Sequence, residues 1–286
     1  MADPVITDRL AIVMAHPDDE VLWAGSALRA AGKIVLVYGP MQSAPKLTEG
    51  RRVAMAAFPL PSLDWLEMRE SEVYDSACWP NAREVPYGLY PYPVLRLLRG
   101  FDPQRYRDGF VRLQDRLRGR LAGMRNVIVH SPWGEYGHED HVQVFRAVAA
   151  LAEEMQFRVW VPGYFADKSE ALMRRNLRFF GAPTAPMPID KALAEEISQI
   201  YKRTSTWTWF DEYTWPDAER FLRYFPGGAP VGEVATADQL HRIVFPERYA
   251  AIVRSQRKPL REAIRSFLSW RTGRSPAWGG QVRIRT

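Results

Sequence analysis

Six consecutive apolar residues, Leu10-Ala11-Ile12-Val13-Met14-Ala15, run without a spacer into His16-Pro17-Asp18-Asp19-Glu20. An unbroken apolar run of this length suits a strand covered on both faces, as in a parallel sheet flanked by helices. Three carboxylic acids and an imidazole at its end cannot be buried unpaired, because each bare carboxylate would cost on the order of several kcal/mol. They require water, hydrogen-bond donors or a cation. In an open α/β sheet, ligands also bind outside the carboxyl ends of the strands. Imidazole and carboxylate are zinc ligands, and a further carboxylate nearby can take a proton from water. Pro17 stiffens the turn. The same acids would equally favour the positive end of a following helix, so this motif alone leaves both readings open.

The pattern that follows repeats the strand–helix alternation. Glu20 to Ala31 reads as a helix stopped by Gly32, Lys33 to Tyr38 as a second strand, Thr48 to Phe58 as helix and Ser62 to Met68 as a third strand. Tyr106 to Ala122 reads as helix, Asn126 to His130 as a fourth strand, His138 to Met155 as helix and Phe157 to Val161 as a fifth strand. This alternation predicts an α/β, Rossmann-like open sheet, mostly parallel, with helices on both faces. Residues 76–104 interrupt it with Pro80, Pro86, Pro91 and Pro93 set among Trp79, Tyr87, Tyr90 and Tyr92, which reads as a loop near a site. The expected organisation is a catalytic domain over 1–165 and a mainly helical C-terminal extension over 166–286. In that extension Lys191 to Arg203 reads as helix, Trp207 to Trp215 is dense in aromatics, and Arg248 to Trp270 is a basic helical stretch. The 286 residues suffice for one large domain with such an appendage.

A second chemical motif follows the fourth strand: Ser131-Pro132-Trp133-Gly134-Glu135-Tyr136-Gly137-His138-Glu139-Asp140-His141. His138 and His141, three apart, would share one face of a helix. Taken alone, the pair reads equally as two helix-surface histidines. The chain has only five histidines, and His16, His138 and His141 fall in the two motifs, with His130 at the edge of the second. In a doubly wound sheet the first and fourth strands are neighbours across the switch point, so the loops after them converge.

Ala15-His16-Pro17-Asp18-Asp19-Glu20, then Gly25, and later Tyr136-Gly137-His138-Glu139-Asp140-His141, together resemble the LmbE/PIG-L-like family of zinc-dependent N-deacetylases over roughly the first 165 residues, about one α/β domain. The resemblance implies hydrolysis of the acetyl amide of an N-acetylglucosamine-type sugar or glycoconjugate. It implies one zinc ion, or another divalent metal such as Fe2+, held by His16, Asp19 and His141. Asp18 would be the general base, His138 the oxyanion stabiliser, Asp140 the residue that orients an imidazole from behind, and Tyr136 a tyrosine near the bound carbonyl. Met68-Arg69-Glu70-Ser71 resembles the family's segment after the third strand with Glu70 in place of Asp, as a substrate contact. Ser131 stands where the family often has an acid. Trp23, Trp133 and the Tyr87–Tyr92 loop are available as sugar faces or as ordinary packing.

The remaining expectations are coarser. The single cysteine, Cys78, rules out an internal disulfide, the N-terminus lacks a signal-peptide pattern and no run is long enough to span a bilayer, so a cytoplasmic enzyme is expected. From Pro246 onward there are ten Lys or Arg against two Glu. This excess suits a solvated helix face, a phosphorylated or lipid-linked substrate, or peripheral membrane contact. No nucleic-acid motif accompanies it. Three other readings stay open: an amidase cleaving a larger acyl group from an amino-sugar conjugate, a nucleotide-sugar-binding glycosyltransferase-like enzyme, and a non-catalytic binder on the same fold. The turn after the first strand is not a glycine-rich phosphate loop, which counts against the second. A retained Asp18 counts against the third.

Overall fold

The computed structural model describes residues 4–92, 103–228 and 232–246. Its frame is one six-stranded sheet: β1 (Leu10–Met14), β2 (Lys33–Tyr38), β3 (Leu63–Met68), β4 (Asn126–Val129), β5 (Arg158–Pro162) and β6 (Phe221–Arg223). The strand order is β6-β5-β4-β1-β2-β3. Strands β1 to β5 run parallel and β6 is antiparallel to β5. The chain therefore starts at the centre, winds out through β2 and β3, and returns to lay β4 against the other side of β1. That reversal is the topological switch point, and it sets the turns after β1 and β4 side by side.

Every residue of β1 and of β4 is buried, which is why β1 and, after Asn126, β4 read as apolar runs. On one parity, Ala11, Val13, Val35, Val127 and Val129 enter the main hydrophobic cluster. On the other, Ile12, Met14, Ile34, Leu36 and Ile128 are just as inaccessible, so both faces of the sheet are covered. The helices are α1 (Asp19–Trp23), α2 (Pro45–Ala56), α3 (Pro103–Leu121), α4 (Glu139–Met155), α5 (Glu170–Asn176) and α6 (Lys191–Arg203). In α3 the buried Leu113, Leu117 and Leu121 recur every four residues, and in α4 Val144, Val148, Leu151 and Ala152 recur at three- and four-residue spacing against that cluster.

Three segments depart from the sequence expectation. The helix expected over Glu20 to Ala31 stops at Trp23; Ala24 leaves helical geometry at φ −142°, and a 3-10 turn occupies Gly25–Ala30. The cause is distant in sequence: the buried Glu219 carboxylate accepts the Ser26 amide at 2.8 Å, taking a donor that a continuous helix would have used internally. The loop expected over 76–104 contains a small antiparallel pair, Glu84–Val85 with Gly88–Leu89, and its residues 93–102 lie outside the described residues. The sheet also takes its sixth strand from Phe221–Arg223, well beyond residue 165, and the described residues up to Ile243 fall in one compact unit. The basic stretch Arg248 to Trp270 and the tail from Thr272 lie outside the described residues. Among the described residues no helix is long and apolar enough to cross a membrane.

Gly50 shows how closely α2 packs on the turn that follows α6. A Cβ there would collide with the Thr204 carbonyl oxygen and lie 2.7 Å from Thr206 Cγ2. Helix propensity alone would favour alanine by about 1 kcal/mol. The obstacle is a backbone oxygen that cannot rotate away, so the clash should win. Gly50→Ala is expected to lose a net of up to about 2 kcal/mol, the overpacking cost of about 1–3 kcal/mol less the propensity gain of about 1 kcal/mol. The check is a lower melting temperature, by roughly 2–4 °C per kcal/mol in a domain of this size. An unchanged or raised melting temperature would show that the turn is free to move.

Candidate active site

Asp18 begins the site in a strained conformation, φ 102° and ψ −24°, which for a non-glycine residue stores about 1–3 kcal/mol. Buried hydrogen bonds hold it. Glu20 Oε2 accepts the Asp18 amide at 3.1 Å, and Glu20 Oε1 accepts the Tyr201 hydroxyl at 2.7 Å. The consecutive carboxylates consequently face different partners. Asp18 Oδ2 accepts the Thr208 amide at 2.9 Å and the Thr208 hydroxyl at 2.7 Å. Asp19 faces the histidines.

Asp19 Oδ2 lies 3.2 Å from His16 Nδ1, 3.4 Å from His130 Nε2 and 3.3 Å from His141 Nε2. It also accepts the His16 amide at 2.7 Å, while Asp19 Oδ1 accepts the Trp23 indole N–H at 3.0 Å. Three imidazoles from two motifs thus converge on one oxygen, as the neighbouring of β1 and β4 requires. The residues that reach it from the second motif are carried by a tight loop. Gly134, at φ 64°, passes so near the His138 backbone that a Cβ would lie 2.5 Å from its carbonyl oxygen and 2.9 Å from its nitrogen.

His138 differs from the expectation of a helical pair. It is the N-cap of α4, in extended geometry, and its Nδ1 accepts the Asp140 amide at 3.2 Å. An amide can only donate, so Nδ1 carries the lone pair and the ring proton resides on Nε2. The His138 and His141 rings nonetheless stack, with centroids 4.6 Å apart. Asp140 faces His16, with Oδ2 3.5 Å from Nε2. Tyr136 stands edge-on to His141 at 5.3 Å and beside Trp209 at 5.0 Å. Glu70 is buried, pairs with the Arg51 guanidinium and lies 4.0 Å from His16 Nε2.

Two of the aromatics expected near the site are fully buried. Trp133 is fully buried in the hydrophobic cluster, its indole N–H donates to the Tyr164 carbonyl at 2.7 Å, and its ring meets Phe180 edge-on. Neither ring face of Trp133, expected as a substrate contact, is open in this arrangement. Trp23 is equally buried and is committed to Asp19. The exposed aromatic at the site is Tyr74, whose ring lies 4.8 Å from His138 and under Lys168 Nζ at 4.6 Å. The loop behind Tyr74 is tied to α4 by Glu139, which accepts the amides of Asp75 and Ala77 and the indole N–H of Trp79.

The charges are strongly perturbed. Burial would lower the His16 imidazole, but Glu70, Asp140 and Asp19 outweigh it and push it up to about 10. His141 is likewise raised to about 9, against burial, by Asp19 and Glu135. Burial would raise Asp19, yet His141 and His130 hold it well below the usual carboxylate range. Glu135 is held at about 2, against burial, by His130 and His141. Asp18 is pushed up by burial and by the Asp19 charge, with the Thr208 bonds opposing. His138 is pushed well down by burial and by the neighbouring His141 and His16.

The cluster therefore demands positive charge at its centre, from protons on imidazoles or from a cation. The donor set suits a borderline divalent metal such as zinc, which takes imidazole nitrogen and carboxylate oxygen. His16 Nε2 and His141 Nε2 are buried without a hydrogen-bond partner, as expected of nitrogens reserved for another bond. Three overlapping sets of groups could hold an ion here: His16, His138 and His141; Asp19, His130 and His141; and His16, Glu70 and Asp140.

No protein-family model and no curated protein matches the chain. Solved structures do. A deacetylase–bog complex from the teicoplanin biosynthesis pathway superposes at TM-score 0.50 with 14% identity, covering 75% of this chain and 96% of that one. A deacetylase–teicoplanin complex matches at TM-score 0.48 with 12% identity, over 76% and 97% of the two chains. The zinc inhibited form of teicoplanin deacetylase matches at TM-score 0.47 with 13% identity, over 75% and 97%. At these identities the likeness is one of fold.

Proposed function

We propose that this chain is a metal-dependent hydrolase of the LmbE/PIG-L-like kind that removes acetyl from an N-acetylated amino sugar or glycoconjugate. The observation that carries the reading is the convergence on Asp19 Oδ2 of imidazoles from two motifs more than a hundred residues apart, with a separate carboxylate, Asp18, on the adjacent residue. A solved deacetylase with this fold agrees with the reaction class, by analogy of architecture alone.

His16, Asp19 and His141, each a member of at least one of those sets though not together one of them, would hold the ion, zinc being the first choice. Bound there, a divalent ion supplies Lewis acidity to a carbonyl and to a water, whose pKa it can lower from about 15.7 toward about 7. Asp18 accepts the water proton as the water oxygen attacks the amide carbon, and its raised proton affinity suits that task. His138 keeps its proton on Nε2 because Nδ1 is engaged by the Asp140 amide, so it can donate to the carbonyl oxygen as negative charge builds. One such donor is worth about 3–4 kcal/mol in comparable sites. The C–N bond then breaks, and Asp18 returns its proton to the leaving amine; the products are acetate and a free amino sugar. Tyr74, exposed beside His138, is open to contact the sugar, while Glu70, the contact expected by resemblance, is buried and paired with Arg51 4.0 Å from His16 Nε2.

The test is acetate release from a panel of N-acetylated sugars, free, phosphorylated and lipid-linked, beside analogues with longer acyl chains. Activity is expected to disappear with a strong chelator and to return on adding zinc or iron(II). Preference for the longer acyl chains would keep the chemistry and change the substrate. Full activity in the chelated protein, or no amide cleaved in a metal-loaded one, would overturn the reading.

A further inference from the structure

Glu135 and His130 lie outside the residues assigned above to metal or substrate, yet both are fully buried against His141. Their hydrogen bonds admit only one arrangement of protons. The Ala15 amide donates to His130 Nε2 at 2.8 Å, so that nitrogen carries the lone pair and cannot also serve a metal. The His130 proton must then be on Nδ1, which lies 2.9 Å from Glu135 Oε2. The same oxygen is 2.7 Å from His141 Nδ1. Glu135 Oε1 is occupied by the Ser131 amide at 2.7 Å. The two imidazoles stack with centroids 3.7 Å apart and planes 21° from parallel. The backbone carbonyl of Glu135 is itself fixed, accepting the Ala166 amide at 3.2 Å.

We propose that Glu135 and His130 form a positioning clamp for His141: one carboxylate oxygen takes the Nδ1 protons of both rings, and the stacked His130 fixes the plane of its neighbour, so that His141 presents its Nε2 lone pair to the centre. The clamp also sorts the histidines. His130 is near enough to Asp19 to look like a ligand, but its nitrogen is spent on the β1 backbone, so it supports and does not coordinate. This inference rests on His141 being a metal ligand. A carboxylate behind a ligating imidazole fixes its tautomer and raises its basicity, and loss of such a partner weakens metal binding by about 10–100-fold.

The test uses the full chain with zinc as the probe. In Glu135→Gln the amide NH2 can face one imidazole only as a donor, which favours the His141 tautomer with its proton on Nε2, where the lone pair is needed. Zinc affinity, read by competition with a chromophoric chelator, is expected to fall about 10–100-fold, while KM at saturating zinc stays near that of the parent. His130→Gln can still accept the Ala15 amide and donate to Glu135, and should lose less affinity than Glu135→Gln. Zinc binding by a folded Glu135→Gln within about threefold of the parent would overturn the proposal. If that variant does not fold, nitrogen-15 spectra of the histidines in the unaltered protein decide: the clamp requires protons on Nδ1 of both His130 and His141 in the zinc-loaded state, and a proton on Nε2 of either ring rejects it. The His130 tautomer is readable without zinc too, so a chain that binds no zinc would sink the metal reading separately from the clamp.

Discussion

Asp18→Asn is expected to bind a full complement of metal and to lose about 10²–10⁴-fold in kcat for acetate release, the usual worth of a general base. The expectation follows from how the two adjacent acids are used. Asp18 Oδ2 faces the Thr208 amide and hydroxyl, at 2.9 Å and 2.7 Å, and is no part of the imidazole cluster around Asp19. An asparagine side-chain oxygen can accept the same two bonds, so the strained turn at φ 102° keeps its fastening. What disappears is the ability to accept a proton. Metal content by elemental analysis and the melting temperature should therefore remain near parental values while turnover collapses. Near-full activity would remove Asp18 as the base. Loss of metal together with activity would mean that Asp18 is part of the metal site, and the division of labour between the two carboxylates would have to be redrawn.

The sheet and the two motifs were legible in the sequence because their determinants are local. A strand buried on both faces must be almost wholly apolar, and β1 is so throughout, β2 after Lys33 and β4 after Asn126. A polar cluster at the end of such a strand must be compensated, and that requirement points to the His16–Glu20 turn, whereas the set His16, Asp19 and His141 is what the resemblance of the two motifs to the LmbE/PIG-L-like family implies. Thr208 was not legible: it lies 190 residues from the carboxylate it holds, inside an aromatic segment that reads as packing. Glu135 was hidden for a different reason. A lone Glu in a glycine-rich loop carries no periodicity, and only the loop's turns, with φ 64° at Gly134 and 45° at Glu135, bring it behind two imidazoles. Trp133 was ambiguous because an aromatic next to a site reads equally as a sugar face or as packing; here Phe180 and the Tyr164 carbonyl enclose it. The break after Trp23 was likewise set by a distant residue, Glu219.

Asp19→Asn should do the opposite of Asp18→Asn: lose the metal and destabilise the metal-free protein as well. Asp19 is almost inaccessible, and its charge is the common neighbour of His16, His130 and His141. A carboxamide is neutral, and its NH2 cannot accept the bond that either the Trp23 indole or the His16 amide now makes to the carboxylate. Metal affinity is expected to fall by more than the roughly 100-fold at the upper end for outer partners of a ligand, because here the lost group is an anionic ligand. Removing one member of a buried ion pair typically costs about 3–5 kcal/mol, so the metal-free variant should melt well below the metal-free parent at neutral pH. The pH dependence carries a definite sign. The Asp19 carboxyl is held well below its ordinary value, so its stabilisation is present above the unfolded carboxyl pKa of about 3.9 and fades as acid takes the pH down through the folded value. The gap between parent and variant should accordingly be widest near neutrality and should narrow in acid below about pH 4. A gap of the same size at every pH would mean that lost packing, rather than lost charge, destabilises the variant, and His16 and His141 would then not depend on Asp19 for their charge.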